Sequence, residues 1–151
     1  MKRTAAILLT IIAMCSWSCT QNHGHIGRLF GSWYLYDMTV DGDTPDDFDY
    51  AELFWSFQSD VIRVTERFPY HVAGKSYGTW TETESTLTLN FTHSDPSHPA
   101  GTHGYRPPEI LGFNCTDPIV LTYLEKEKNT MTLEQRRADG KTYVYFLKRT
   151  H

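Results

Sequence analysis

An all-β chain of eight antiparallel strands in up-and-down order, closed into a barrel, is the fold class the sequence predicts. Three observations predict it. Short runs alternate apolar with polar residues, most cleanly over 86–92, where Leu87, Leu89 and Phe91 oppose Thr86, Thr88, Asn90 and Thr92; a period of two is that of a half-buried strand. Such runs recur between turn-forming residues, and no stretch sustains helical periodicity. Most connections are tight, which makes sequential strands antiparallel partners, and a meander this long removes its open edges by closing on itself. An open sandwich is the alternative packing of the same strands.

The first 28 residues stand outside these strands. Met1-Lys2-Arg3 is a basic start, and the apolar run over 5–14 is too short to span a bilayer but has the length of a signal-peptide core. Two cysteines follow. Ser18 is the small residue expected before a lipidated Cys19, although Ser16 and Trp17 depart from the usual pattern, and Met14 disfavours Cys15. The expectation is a signal peptide at 1–18, a membrane anchor through lipid on Cys19, a polar tether over 19–28 that includes His23 and His25, and a domain over 29–151. Ser16 and Ser18 also fit an ordinary small-x-small cleavage site, which leaves an exported but unlipidated chain as the other reading.

The strands follow in order. The first, 33–40, opens after Gly31, where glycine permits a sharp turn into the sheet. An acidic loop, 41–50, leads to 51–58, and Ser59-Asp60 turns into 61–67. A looser connection with Pro69 and Gly74 precedes 76–82; Thr83, Glu84 and Ser85 turn into 86–92. A stretch rich in Pro, Gly and His, 93–117, separates this strand from 119–125. Residues 126–129 turn into 130–136, where Met131 and Leu133 oppose Thr132 and Glu134. Asp139-Gly140 marks the last hairpin, before 142–148. In an up-and-down barrel successive hairpins alternate between the two ends. The long connections 41–50, 68–75, 93–117 and 137–141 therefore gather at one end, and tight turns close the other. A barrel of this size holds one small ligand or fills with side chains.

Composition narrows the function. A chain of 151 residues can bury one substantial core. Its formal net charge is −4, and removing Lys2 and Arg3 with the leader makes it more acidic. The sequence has no basic stripe, which argues against nucleic acid and against a basic membrane-surface patch. Cys115 is the single cysteine beyond the leader region; it pairs with Cys19 only if Cys19 carries no lipid, and neither case makes a disulfide framework.

Gly31-Ser32-Trp33 at the first strand, Lys148-Arg149 at the last, and this strand order together resemble the lipocalins, and more closely the lipocalin-like lipoproteins of Bacteroidetes-type bacteria. The resemblance implies that Trp33 plugs the closed end and that a basic residue of the last strand packs over it. Arg149 is expected there ahead of Lys148, because a planar guanidinium stacks better on an indole. Gly31, Trp33 and Arg149 are then structural. The resemblance also implies a location in the outer membrane or periplasm through the anchor at Cys19, with the cell surface open. Its implied partner is a small hydrophobic or amphipathic molecule at the long-loop end, bound without covalent chemistry.

The strand aromatics Trp55, Phe57, Tyr77, Trp80, Tyr123 and Tyr145 are the candidate ligand-binding residues; they either line a pocket or fill the barrel. His93, His98 and His103 are evenly spaced in the long loop, with His71 at the same end, but their spacing matches no standard zinc pattern and no metal is expected. Asp41, Asp43, Asp46, Asp47 and Asp49 lack the order of a calcium loop. Cys115 belongs to no Cys/His signature, and no nucleophile elbow, phosphate loop or His-Glu-x-x-His occurs. Neither enzyme activity nor a cofactor is expected. The alternative to a carrier is a filled barrel whose 93–117 loop engages an envelope protein or glycan through Tyr105, Pro107, Pro108, Ile110, Leu111 and Phe113. The same residues otherwise form a lid over the barrel mouth.

Overall fold

The computed structural model describes residues 27–71, 73–93 and 103–150. The leader, Cys15, Cys19, His23, His25 and His98 lie outside the described residues, as do the side chains of His71 and His103.

Eight strands form one closed barrel in sequence order: β1 (Gly31–Val40), β2 (Glu52–Gln58), β3 (Val61–Arg67), β4 (Ala73–Glu82), β5 (Thr86–Asn90), β6 (Ile119–Lys126), β7 (Thr130–Arg136) and β8 (Thr142–Arg149). Every neighbouring pair is antiparallel. β1 pairs on both sides, Trp33 lying opposite Trp55 on β2 and Arg149 on β8. The sheet therefore has no free edge, and the sandwich alternative is not formed. Register shifts between Leu35 and Asp37 and between Tyr123 and Glu125 bend β1 and β6, which helps the sheet curve round.

β4 begins earlier than the sequence suggested. Ala73, Gly74 and Lys75 continue the ladder against Arg67, Glu66 and Thr65, so only the segment around Pro69 breaks away. Proline has no N–H to give the ladder, whereas Gly74 keeps its own. β5 ends at Asn90, whose side-chain oxygen accepts the Thr92 N–H at 2.9 Å in competition with further pairing.

The period of two sends one apolar set inward. Leu35, Leu53, Trp55, Phe57, Ile62, Val64, Leu87, Leu89, Leu121, Leu133, Tyr145 and Leu147 form a continuous core with almost no solvent contact. Each such burial is worth roughly 1.5–3 kcal/mol against exposure.

The two ends differ as the loop lengths required. At the closed end Trp33 is fully buried and donates its indole N–H to the Leu29 carbonyl at 2.9 Å. The Arg149 guanidinium lies 5.0 Å from the Trp33 ring centroid, and Arg28 approaches the same ring at 6.0 Å. Arg149 also donates to the Arg28 carbonyl, and Arg28 to the Glu127 carbonyl at 2.7 Å. Arg28, read from sequence as tether, is thus part of the plug. Gly31 has φ 114°, a conformation that favours glycine, at the point where the chain turns from the plug into β1. Three of the four connections at the opposite end carry short 3₁₀ turns: Phe48–Tyr50 in the first, Pro69–His71 in the second, and His103–Tyr105 with Glu109–Leu111 in the long third.

Candidate functional site

The barrel interior is occupied by the protein's own aromatic side chains. Trp55 and Tyr145, from β2 and β8, lie 5.5 Å apart, and the Phe113 ring from the long connection is 5.5 Å from each. Phe113 also stacks on Phe91 at 6.0 Å. Deeper in the barrel Phe57 meets Trp80 edge-on at 5.3 Å. The indole N–H groups of Trp55 and Trp80 are buried with no acceptor among the described residues.

The six strand aromatics singled out by sequence do not share one place. Trp55, Phe57 and Tyr145 point inward and are enclosed, with Trp80 half-buried beside them. Tyr77 is a correction. Ser76, Gly78 and Trp80 face the core, so the period of two turns Tyr77 outward, where it is 40% exposed. Tyr123 faces inward but belongs to the closed end. Its hydroxyl donates to Glu82 at 2.8 Å, and Lys126 holds the same carboxylate at 3.0 Å. Burial, reinforced by Glu82, pushes the Tyr123 hydroxyl pKa well up, so it remains a neutral donor.

Residues 106–113 cross the open end as a strap. Pro107, Pro108 and Leu111 are buried and Ile110 and Phe113 are half-buried, so these residues take the lid placement over the barrel mouth, one of the two the sequence left open. Three latches hold the strap. The Tyr145 hydroxyl donates to the Leu111 carbonyl at 2.6 Å, Arg137 donates to the Gly112 carbonyl at 3.0 Å, and Ser76 donates to the Arg106 carbonyl at 2.5 Å. The Tyr145 hydroxyl also lies 2.9 Å from the Gln135 side-chain amide, which completes a buried polar triad. Gly112 makes the crossing possible. Its φ is 65°, and a Cβ there would stand 2.5 Å from the Tyr143 ring.

Between the strap and the mouth of β2 and β3 lies a cleft of about 390 Å³. Phe48, Leu53, Phe68 and Ile110 supply its apolar surface, and Asp47, Glu66, Arg106 and Glu109 its charges. A broader hollow of about 560 Å³ adjoins it, walled by Val40, Pro45, Lys141 and Tyr143. Both hollows lie at the long-loop end, outside the aromatic plug.

Sequence reasoning missed Glu66 and Phe48. A search for aromatics on strands passes over both, yet β3 carried the signal for Glu66. Ile62, Val64 and Glu66 share one parity, so the carboxylate had to face the mouth.

The remaining candidates stay apart. His93 is exposed and packs its ring edge-on against Tyr105 at 4.7 Å. Among the described residues no three His, Cys, Asp or Glu side chains converge on a common point. Asp41 caps the Thr142 N–H at 2.8 Å. Cys115 is half-buried with its sulfur 3.8 Å from the Tyr105 carbonyl; burial raises its thiol pKa against the opposing effect of Arg106, so the nucleophilic thiolate is disfavoured.

The profile of the family described as "Lipocalin-like domain" matches residues 12–142. Among solved structures, a lipocalin-like protein from Bacteroides uniformis superposes with a TM-score of 0.55 at 13% identity, covering 82% of this chain and 100% of its own. An uncharacterized protein from Bacteroides eggerthii gives 0.52 at 17% identity, with 80% and 98% covered. A biogenic amine-binding protein gives 0.50 at 9% identity, with 87% and 68% covered. These likenesses establish a shared fold. No curated protein matches the chain.

Proposed function

The chain belongs to the lipocalin-like domain family, and from that premise we propose that it is an envelope lipoprotein that binds a small amphipathic molecule, without catalysis, in the cleft at its barrel mouth. The observation that carries the reading is the cleft itself. It has an apolar wall, a few convergent charged groups and an opening to solvent, which is the usual composition of a small-molecule site. The filled interior directs the ligand to the mouth, in contact with the strap. Entry into the barrel would require Leu111 and Phe113 to withdraw. The basic start, the apolar run over 5–14 and Ser18 before the cysteine support export and lipidation at Cys19.

Native mass spectrometry of the chain from residue 19 onward, with Cys19→Ser and after exposure to an envelope lipid and metabolite extract, tests the binding reading. A stoichiometric organic adduct that is lost on denaturation is the expected result; a bare polypeptide mass overturns it. Incorporation of an alkyne-labelled fatty acid by the wild-type chain but not by Cys19→Ser tests the anchor.

The contact of Trp55, Phe113 and Tyr145 favours a second reading, a filled barrel serving as an interaction module. It predicts a bare mass together with a retained envelope protein or glycan, whose capture is lost when the 93–117 connection is altered.

A further inference from the structure

One carboxyl group at the barrel mouth has no partner among the described residues. Glu66 follows Ile62 and Val64 on the inner face of β3, between Leu53 on β2 and Gly74 on β4. A Cβ at Gly74 would stand 3.1 Å from Glu66 Oε2, so the missing side chain there leaves the space in which the carboxylate lies. Among the described residues no cation comes within ion-pairing distance of it. Arg67, next in sequence, faces outward to Glu52, and Arg106 across the cleft is held by Glu109. Burial pushes the Glu66 pKa up. A half-buried acid without a counterion costs folding free energy, and such residues in clefts mark places where something outside the chain completes the pairing.

We propose that Glu66 is the anchoring carboxylate of the mouth cleft and that its ligand is an organic cation, an ammonium group on an apolar or aromatic body. This deepens the function proposed above and rests on it. Phe48, Leu53, Phe68 and Ile110 face the body of such a molecule, and the carboxylate faces its charge. Asp47 adds negative charge to the lining, and Arg106, the one cation among its described residues, is offset by its ion pair with Glu109. An ammonium there gains charge-assisted hydrogen bonds, and a cation over an aromatic face gains further attraction. An anionic ligand meets Asp47 and Glu66 together. A cleft of about 390 Å³ accommodates one ring-bearing amine.

Isothermal titration of the chain from residue 19 with Cys19→Ser, using 2-phenylethylamine, 2-phenylethanol and 3-phenylpropionate at pH 7.5, tests the proposal. The amine is expected to bind about tenfold or more tighter than the alcohol, and the carboxylate most weakly. Glu66→Gln should bring amine and alcohol to equal affinity. Glu66→Asp, which keeps the charge but withdraws it, should fall between. Ile110→Trp, which fills the cleft, should abolish binding of all three. Equal affinity for amine and alcohol in the unaltered chain, or a preference that survives Glu66→Gln, overturns the cation proposal while leaving the cleft reading intact. Binding that survives Ile110→Trp, or no binding of any of the three, overturns the cleft as the site and this proposal with it.

Discussion

The Tyr145 hydroxyl, buried on β8, donates to the Leu111 carbonyl at 2.6 Å and so fastens the strap to the barrel wall. The bond joins residues far apart in the chain and is sealed from water, where a hydrogen bond is strong and its loss leaves a costly unsatisfied acceptor. Burial also raises the Tyr145 hydroxyl pKa well above its ordinary value, so the proton stays in place across the physiological range. Tyr145→Phe removes the proton donor and keeps the ring against Trp55 and Phe113. We expect a loss of about 1–2 kcal/mol, read as a lower denaturation midpoint in urea. The Gly112 amide, bonded to the Glu109 carbonyl at 2.9 Å, should exchange its hydrogen faster in the variant.

Gly112 tests the strap from its other side. An alanine there meets two obstacles, the positive φ and the Tyr143 ring beneath it. Gly112→Ala should cost about 2–3 kcal/mol, through backbone strain and overpacking together. If the strap instead lifts to relieve the clash, Phe113 leaves Trp55 and the tryptophan fluorescence shifts to the red. Either readout depends on the strap being seated in the mouth.

At the closed end the two terminal basic residues of β8 separate cleanly. Arg149 stacks on the buried Trp33 and donates to the Arg28 carbonyl. Lys148 points outward and lies over Tyr34 and Tyr36 at 5.4 and 5.5 Å. Arg149→Ala should therefore cost about 1–3 kcal/mol and Lys148→Ala no more than about 0.5. Comparing their thermal midpoints checks the difference. Arg149→Lys should recover little of the loss, since an ammonium cannot both stack on the indole and keep the planar donor set.

What was legible in the sequence follows from what kind of signal each residue carries. The alternation of Leu87, Leu89 and Phe91 against threonines is a direct print of the strand pleat, and the uneven loop lengths sort the two ends without any motif. Tyr77 failed because it was judged by residue type; its separation from Trp80 by an odd number of positions puts the two on opposite faces. Arg28 looked like spacer because its neighbours are polar, and only the closed plug gives it Trp33, Tyr123 and Glu82 as company. Leu111 and Phe113 sit in an irregular segment with no period to read. Whether such residues face a partner or plug their own barrel is decided by tertiary packing alone.

Glu66 gives a stability prediction whose sign opposes the usual carboxylate case. Its pKa is raised by burial above the ordinary value of 4.5, so the folded state holds its proton to higher pH than the unfolded chain does. Between those two values the folded state binds more protons, and stability falls as pH rises through the window. Below it the carboxyl is neutral in both states and the penalty is absent. Above it the full cost of the desolvated charge is present. Glu66→Gln should therefore stabilise the protein at neutral pH, and the gain should shrink to nothing as the pH falls below 4.5. Thermal midpoints of the two proteins across this range check it; a variant destabilised at neutral pH would show that the carboxylate has a stabilising partner. A residue whose replacement strengthens the fold while removing the preference for an amine is one kept for binding, because stability alone would select against it.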